Sequence, residues 1–428
     1  MRALLTTYGS TGDVYPVIAL ARALEELGHE AVLATMPAFQ QDIEAAGVNF
    51  APMPPTDWGL AEFRKASHAL NEIKNPLKQL ETIYAQFEPF FGDFLDAFEP
   101  LIADFDIVVG SYLLPNLKAL AHRHGKPFAA LCFCHNVVPS SESAPPNVPP
   151  LSWLAGPLRR RWNRSAWSTA ERILDKALNQ ALLPAMKARG LPAQKGWITA
   201  PGDRVLVTMP ESLFASKDIL GDERFVFTGY LRWQPPGNEA ALEAVEAFTK
   251  GEAVPVITFG SMAVSRPEQQ LAAFLRRWPK GAKLILQSGW AGFEEVAERP
   301  EVHVVGKCSH NRLFEHASVV VHHGGAGTTA SALWAGKPQI LVPHIADQPF
   351  WAREMERLGV GRKLARKRWT TELPALIASV AGDAQLRLRA SSLSQQVQES
   401  NGPEQAVRVL EAMVRTGDAA TAPAMQSA

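Results

Sequence analysis

The sequence predicts an α/β protein built from two doubly wound, Rossmann-like domains, and three observations lead there. At 428 residues the chain exceeds what one ordinary core accommodates. Two units read as apolar strand, small-residue turn and helix, one at residues 3–27 and one at 318–335. Between them Gln234-Pro-Pro-Gly-Asn238 breaks the pattern and marks a boundary. Apolar residues make up 46% and charged residues 20%, enough to bury substantial cores. Lys+Arg and Asp+Glu both number 43, so no global field points to nucleic acid. Cys132, Cys134 and Cys308 form neither a disulfide framework nor a CxxC pair, which fits a reducing cytoplasm. The chain opens on a strand instead of a basic flank and apolar h-region. No apolar run approaches the roughly 20 residues of a membrane span.

Ala3 to Thr7 is the first strand. A helix from about Val14 to Leu27 follows, with Val17, Leu20, Ala21, Leu24 and Leu27 at helical spacing and Gly28 as its stop. Ala31 to Thr35 is the second strand. There is no GxGxxG in the intervening turn, and Met36-Pro37 stands where a dinucleotide site needs an acid, so NAD binding is rejected. Asp57 to Phe98 reads as helical, and Phe87, Phe90, Phe91, Phe94, Leu95 and Phe98 form one apolar stripe whose first reading is core packing. Ile107 to Val109, Pro127 to Phe133, Val205 to Thr208 and Phe225 to Thr228 complete the first sheet. Pro139 to Trp167, rich in Pro, Trp and Arg, reads as a long irregular segment.

A connecting helix, Ala240 to Thr249, leads into the strands Val254 to Phe259, Lys283 to Gln287 and Val302 to Val305. The next strand, Ser318 to His322, is a β-branched run of the kind buried in parallel sheets. His323, Gly324, Gly325, Ala326 and Gly327 then turn into a helix from Thr328 to Ala335, stopped by Gly336. Gln339 to Val342 is a further strand, Gly361 to Leu364 a short last one, and Glu404 to about Arg415 a closing helix. A glycine turn at a helix N-terminus offers free N–H groups and a favourable dipole to an anion, and Thr328 adds a hydroxyl. Asp347 and Gln348 follow the next strand on the same C-terminal edge, where ligands bind in open α/β sheets. The expected ligand carries phosphate and a hydroxyl-rich end.

HHGGAGT, AGKPQ and DQPFWA, in that order, resemble the donor signature of the inverting nucleoside-diphosphate-sugar glycosyltransferases of the GT-B fold, especially the bacterial antibiotic, sterol and glycolipid branch. The resemblance covers most of the chain and is strongest at residues 3–35 and 302–362. It implies two Rossmann-like domains facing across a cleft: an acceptor domain at 1–232, a linker at 233–252 and a donor domain at 253–402. A helix at 403–416 would pack back on the first domain, and 417–428 is expected to be a disordered tail.

The same resemblance implies that Asp13, in GSTGDVYP, is the general base that takes the acceptor hydroxyl's proton; a helix N-cap is the structural alternative. It assigns the donor to Gly12, Ser261, Cys308, His323, Gly324, Gly325, Ala326, Gly327, Thr328, Asp347 and Gln348. His323 and the turn would face the diphosphate, and Asp347 and Gln348 the sugar. His322 closes the strand. Acceptor contacts are expected from His135 and Asn136 beyond the 127–133 strand, and from Phe87 and Phe91. No cofactor or metal is implied: the turn replaces the metal that other folds use, and Asp104-Phe-Asp106 reads as a strand start, not a metal-binding DxD.

This chain departs from plant relatives at two places. Ser111 stands in place of the acid that orients a histidine base, a partner a lone aspartate does not need. Lys307-Cys308-Ser309-His310 replaces the uracil-stacking tryptophan, so base recognition falls to backbone near Cys308 or to Trp290, and UDP and dTDP are both left open. The expected partners are a nucleoside-diphosphate sugar and a hydrophobic acceptor, without nucleic acid. The 139–167 segment suits an acceptor lid or a peripheral membrane contact. A nucleotide-sugar epimerase and a catalytically silent sugar-nucleotide binder are the rivals. The hydrophobic N-terminal helices argue against the first, and an intact Asp13 against the second.

Overall fold

The structure is a computed structural model that describes residues 1–59, 61, 62, 65, 70, 73, 75–134, 137–145, 148, 149, 151–213, 219, 222–235, 238–259, 267–288, 299–345 and 347–417. It divides into two compact units. One comprises 1–59, 77–233 and the chain from 400 onward; the other comprises 234–399 with the described residues of 60–76. The expected tail lies outside the described residues from 418 onward, as do His135, Asn136, Ser261 and Trp290.

The first unit holds seven parallel strands: β1 (Arg2–Thr6), β2 (Glu30–Thr35), β3 (Asn49–Pro52), β4 (Ile107–Ser111), β5 (Phe128–Cys132), β6 (Arg204–Val207) and β7 (Phe225–Phe227). Their order, β3-β2-β1-β4-β5-β6-β7, reverses at β1, as doubly wound sheets do. β4 and β5 are buried along their whole length, which is why they read as continuous apolar runs. β3, an edge strand, carries only Asn, Phe, Ala and Pro and gave no period-two signal.

Helix α1 (Thr11–Glu26) starts three residues earlier than its apolar spacing suggests, because Ser10 supplies the cap. After α2 (Gln40–Ala45), the aromatic stripe lies on α3 (Pro76–Ile102). Phe91, Phe94, Leu95 and Phe98 are fully buried on it. α4 (Leu117–Arg123) is tied to the sheet by Asp203, which accepts from His122 Nε2 at 2.9 Å and from the Phe128 N–H at 2.9 Å.

The irregular reading of 139–167 is corrected: from Gly156 the chain is a 33-residue helix, α5 (Gly156–Ala188), with Pro157 in its first turn. Its inward positions between 163 and 175 are Asn163, Trp167, Glu171 and Asp175. Asn163 and Trp167 donate to the Ser141 and Ser143 carbonyls, and Glu171 and Asp175 accept from the Thr199, Gly196 and Trp197 amides. A polar seam of this kind leaves no apolar period to read.

The second unit's parallel strands are β8 (Val254–Thr258), β9 (Leu284–Gln287), β10 (Val302–Val305), β11 (Ala317–His322), β12 (Gln339–Leu341) and β13 (Gly361–Lys363), in the order β10-β9-β8-β11-β12-β13. Alternate strand residues go to opposite faces. Ile257, Leu284, Leu286, Val319 and Val321 join one core, and Val254, Val256, Ile285 and Val320 join the other. The first face is covered by α7 (Pro267–Leu275), α11 (Trp369–Gly382) and Leu386 of α12 (Ala384–Gln398). The second is covered by α6 (Glu239–Thr249), α8 (His310–Glu315) and Ala332 of α9 (Ala326–Trp334). α10 (Gln348–Arg357) precedes β13. The last helix, α13 (Gly402–Thr416), belongs to the first unit and lies against α1. There Ala406, Val407, Leu410 and Met413 are buried, and His29 Nε2 meets Glu411 Oε1 at 3.0 Å.

Candidate active site

Asp13 stands at the C-terminal edge of the first sheet, just past β1. It is not the N-cap of α1. Ser10 is, and Asp13 is the third residue of the helix, closing a capping box: its Oδ2 accepts the Ser10 N–H at 2.8 Å and Ser10 Oγ at 3.2 Å. Burial pushes its carboxyl up to about 6, with the two Ser10 hydrogen bonds opposing the rise. The carboxylate lies directly over Gly9, whose φ is +138°; a Cβ there would come within 2.2 Å of Asp13 Oδ2. Gly12 is exposed beside it.

An aromatic wall stands beside this turn. The Tyr8 ring packs on Phe87 at 4.9 Å and on Phe94 at 5.3 Å between centroids, and Trp58 meets Phe90 at 5.5 Å. Phe87 keeps part of its ring exposed, whereas Phe91 is fully buried and serves as core. Ser111 is also buried, its hydroxyl accepting the Leu113 N–H at 3.3 Å. Asp106 lies at the opposite, N-terminal edge of the sheet, where it accepts the Arg2 N–H at 2.7 Å. That placement makes Asp104-Phe-Asp106 a strand start.

In the second unit β11 ends at His322. Its Nδ1 accepts the Gly324 N–H at 3.1 Å, which assigns the proton to Nε2 and lets it donate to Gln339 Oε1 at 2.9 Å. His322 therefore shapes the turn. α9 begins at Ala326, two residues before the expected Thr328, and its N-cap is Gly325. A glycine cap has no side chain to spend on the first-turn amides, so Ala326, Gly327 and Thr328 receive no side-chain cap. His323 lies over the same cap: a Cβ on Gly325 would sit 2.4 Å from its Nε2. The ring is 7% exposed, its Nδ1 has no protein partner, and burial with neighbouring His322, His344 and His310 holds its pKa well below the usual range. It is a buried imidazole held neutral beside the α9 N-terminus.

Asp347 and Gln348 lie beside this turn, since a Cβ on Gly324 would be 3.2 Å from the Gln348 carbonyl oxygen. Asp347 is the N-cap residue of α10 and its Oδ2 accepts the Trp351 indole N–H at 2.9 Å. The buried Gln348 uses Oε1 to accept the His344 and Ile345 amides at 2.7 and 3.0 Å, so its carbonyl holds the loop itself. Cys308 is buried, its thiol raised to about 11, and receives Gln287 Nε2 at 3.6 Å. Gln287 Oε1 meets His310 Nε2 and Thr258 Oγ1, each at 2.8 Å. Burial lowers His310, His322 and His344 to about 4. Among the described residues no group of three or more His, Cys, Asp or Glu has the arrangement of a metal site.

Comparison with known proteins fits both halves. Residues 3–99 match the glycosyltransferase family 28 N-terminal domain, and residues 291–413 the C-terminal domain of erythromycin biosynthesis protein CIII-like proteins. The chain is 31% identical over 378 residues to glycosyltransferase GtfE of Amycolatopsis orientalis, covering 84% of this chain and 85% of that one. The chain belongs to the GT-B glycosyltransferases. O-mycaminosyltylonolide 6-deoxyallosyltransferase of Streptomyces fradiae is 27% identical over 432 residues, 99% of this chain and 100% of its own. Spinosyn rhamnosyltransferase SpnG, solved with thymidine diphosphate, superposes with a TM-score of 0.66 at 18% identity over 96% of this chain and 100% of that one, a likeness of fold.

In this glycosyltransferase the structure adds Tyr8, Trp58, Thr258, Gln287, His310 and His344 to the surroundings of the residues named from the sequence. Tyr8 adjoins the GSTGD motif and was legible as its neighbour. Gln287 and Thr258 end their strands on the C-terminal edge of the sheet, a positional signal that residue type alone does not give.

Proposed function

We propose that this glycosyltransferase transfers a hexose, with inversion and without a metal, from a nucleoside-diphosphate sugar to a hydroxyl of a hydrophobic acceptor. The acceptor would be a natural product, sterol or lipid, met in solution or at a membrane surface touched peripherally. The observation that carries this is the uncapped α9 N-terminus with neutral His323 seated on its cap. Three amides, the Thr328 hydroxyl and an imidazole N–H would balance charge developing on the departing diphosphate, electrostatic work of the oxyanion-hole kind. Asp347 would bind sugar hydroxyls through its carboxylate, and Gln348 would set the loop that positions it. Asp13, ionised above about pH 6, would take the acceptor proton as the oxygen attacks the anomeric carbon. The partly exposed Phe87 beside Tyr8 would meet the apolar acceptor.

For the base, the thymidine diphosphate bound by the SpnG neighbour favours a dTDP-sugar over a UDP-sugar. A donor-by-acceptor screen with mass detection, run in excess EDTA, tests the reading. It predicts a glycoside product of inverted anomeric configuration with the chelator present. Activity lost to EDTA and restored by Mg²⁺ or Mn²⁺ would overturn the metal-independent part, and donor binding without any transfer would make the chain a silent binder.

A further inference from the structure

We propose that the outer face of α5 is a docking surface for an anionic phospholipid membrane. This rests on the hydrophobic-acceptor reading above and names the surface from which such an acceptor would be drawn. Around and along α5, Trp153, Leu158, Trp162 and Ile173 are 79%, 59%, 40% and 45% exposed. Leu158, Trp162 and Ile173 fall within roughly 60° of arc at about 100° per residue, so they form one stripe. Arg161 and Arg172 border that stripe on one side and Arg159 on the other, and Lys176 lies within it, whereas Arg160 and Arg164, at roughly 200° and 240° from Leu158, lie on the far side of the helix.

Charge segregation decides the occupant. The exposed positions from 157 to 176 include Arg160, Arg161, Arg164, Arg172 and Lys176, and no Asp or Glu. Both acids of this stretch, Glu171 and Asp175, turn inward to hold the 196–199 backbone. This happens in a chain whose Lys+Arg and Asp+Glu are equal at 43. Among the described residues Arg159, Arg161 and Arg172, which flank the stripe, have no acidic partner. Exposed tryptophan and leucine flanked by arginine is the arrangement of a helix lying in a bilayer interface: the rings enter the headgroup boundary while the guanidinium groups stay at the phosphates. Phosphate-rich leaflets attract such a face, and neutral ones do not. Among the described residues no helix is long and apolar enough to cross a membrane, so the contact is peripheral.

Co-sedimentation of the full chain with vesicles tests this. Binding is expected to phosphatidylcholine vesicles containing phosphatidylglycerol, weak or absent on phosphatidylcholine alone, and reduced by high salt. Arg159→Glu/Arg161→Glu/Arg172→Glu should lower the partition coefficient at least about 100-fold, and Trp153→Ser/Trp162→Ser should lower it independently. Each variant should keep wild-type transfer to a soluble acceptor. Absence of wild-type binding to anionic vesicles, or binding that charge reversal and salt leave unchanged, would overturn the proposal. Self-association in sedimentation velocity that the same variants abolish, without vesicle binding, would instead assign the face to a second copy. Vesicle binding by a chain that glycosylates nothing would leave the surface standing and remove the transferase reading. Should the triple variant not fold, the salt and lipid dependence of the wild type decides.

Discussion

Asp13 Oδ2 accepts the Ser10 N–H at 2.8 Å, so the residue read as a catalytic base also closes the capping box that starts its own helix. The two roles are compatible, because a carboxylate has more acceptor positions than the cap uses. Burial, which raises its pKa, gives the proton acceptor a strength suited to near-neutral pH.

The pH dependence follows in sign. With Asp13 titrating at about 6, transfer should fall about tenfold per pH unit below that value. The folded chain holds this proton more tightly than the unfolded chain, whose ordinary value is 3.8. Asp13 thus contributes stability that is present below pH 3.8 and lost as pH rises through about 6. Melting curves of wild type and Asp13→Asn should show the variant gaining relative stability across that window. A variant that lost stability relative to wild type as pH rose would contradict the burial.

Gly9→Ala should disable the base without touching it. A left-handed φ and a Cβ placed 2.2 Å from Asp13 Oδ2 would push the carboxylate aside. Displacement of about 1 Å costs about 10²-fold in rate. Kinetics beside donor titration should show that loss in kcat with donor affinity retained. Wild-type turnover would mean that Asp13's position is not critical.

The second unit's site should divide into a phosphate end and a sugar end. Thr328→Ala is expected to weaken the free nucleoside diphosphate and the sugar nucleotide alike, by about 0.5–3 kcal/mol. Asp347→Ala should scarcely change affinity for the free diphosphate, yet lower transfer and reorder the ranking of donor sugars, since an unpaired hydroxyl-binding group discriminates strongly. Calorimetry with UDP and dTDP alone, beside a donor panel, measures both. Equal loss of diphosphate binding in the two variants would erase the division.

The parts of this fold legible in the sequence were those governed by local chemistry. β-branched runs announced β4, β8 and β11, and the glycine turn announced the start of α9 to within two residues. What escaped was set by distant partners. α5 was hidden because Asn163 faces inward to donate to the Ser141 carbonyl, and Glu171 and Asp175 to accept the Thr199 and Gly196 amides. The engagement of Gln348 with its own loop, and of Asp347 with Trp351, depends on side-chain directions that spacing does not encode. The sequence likewise marked Phe87 and Phe91 as equals. Packing on Tyr8 and Phe94 makes one a partly exposed wall and the other buried core.

Asp13→Asn, with transfer and donor binding measured side by side, tests the account most directly. The amide keeps the size of the side chain and an oxygen to accept the Ser10 N–H, but it cannot take a proton. Transfer to a non-activated alcohol should fall roughly 10²–10⁴-fold while the donor dissociation constant stays at its wild-type value. Near-wild-type turnover by Asp13→Asn would contradict the assignment of Asp13 as the base.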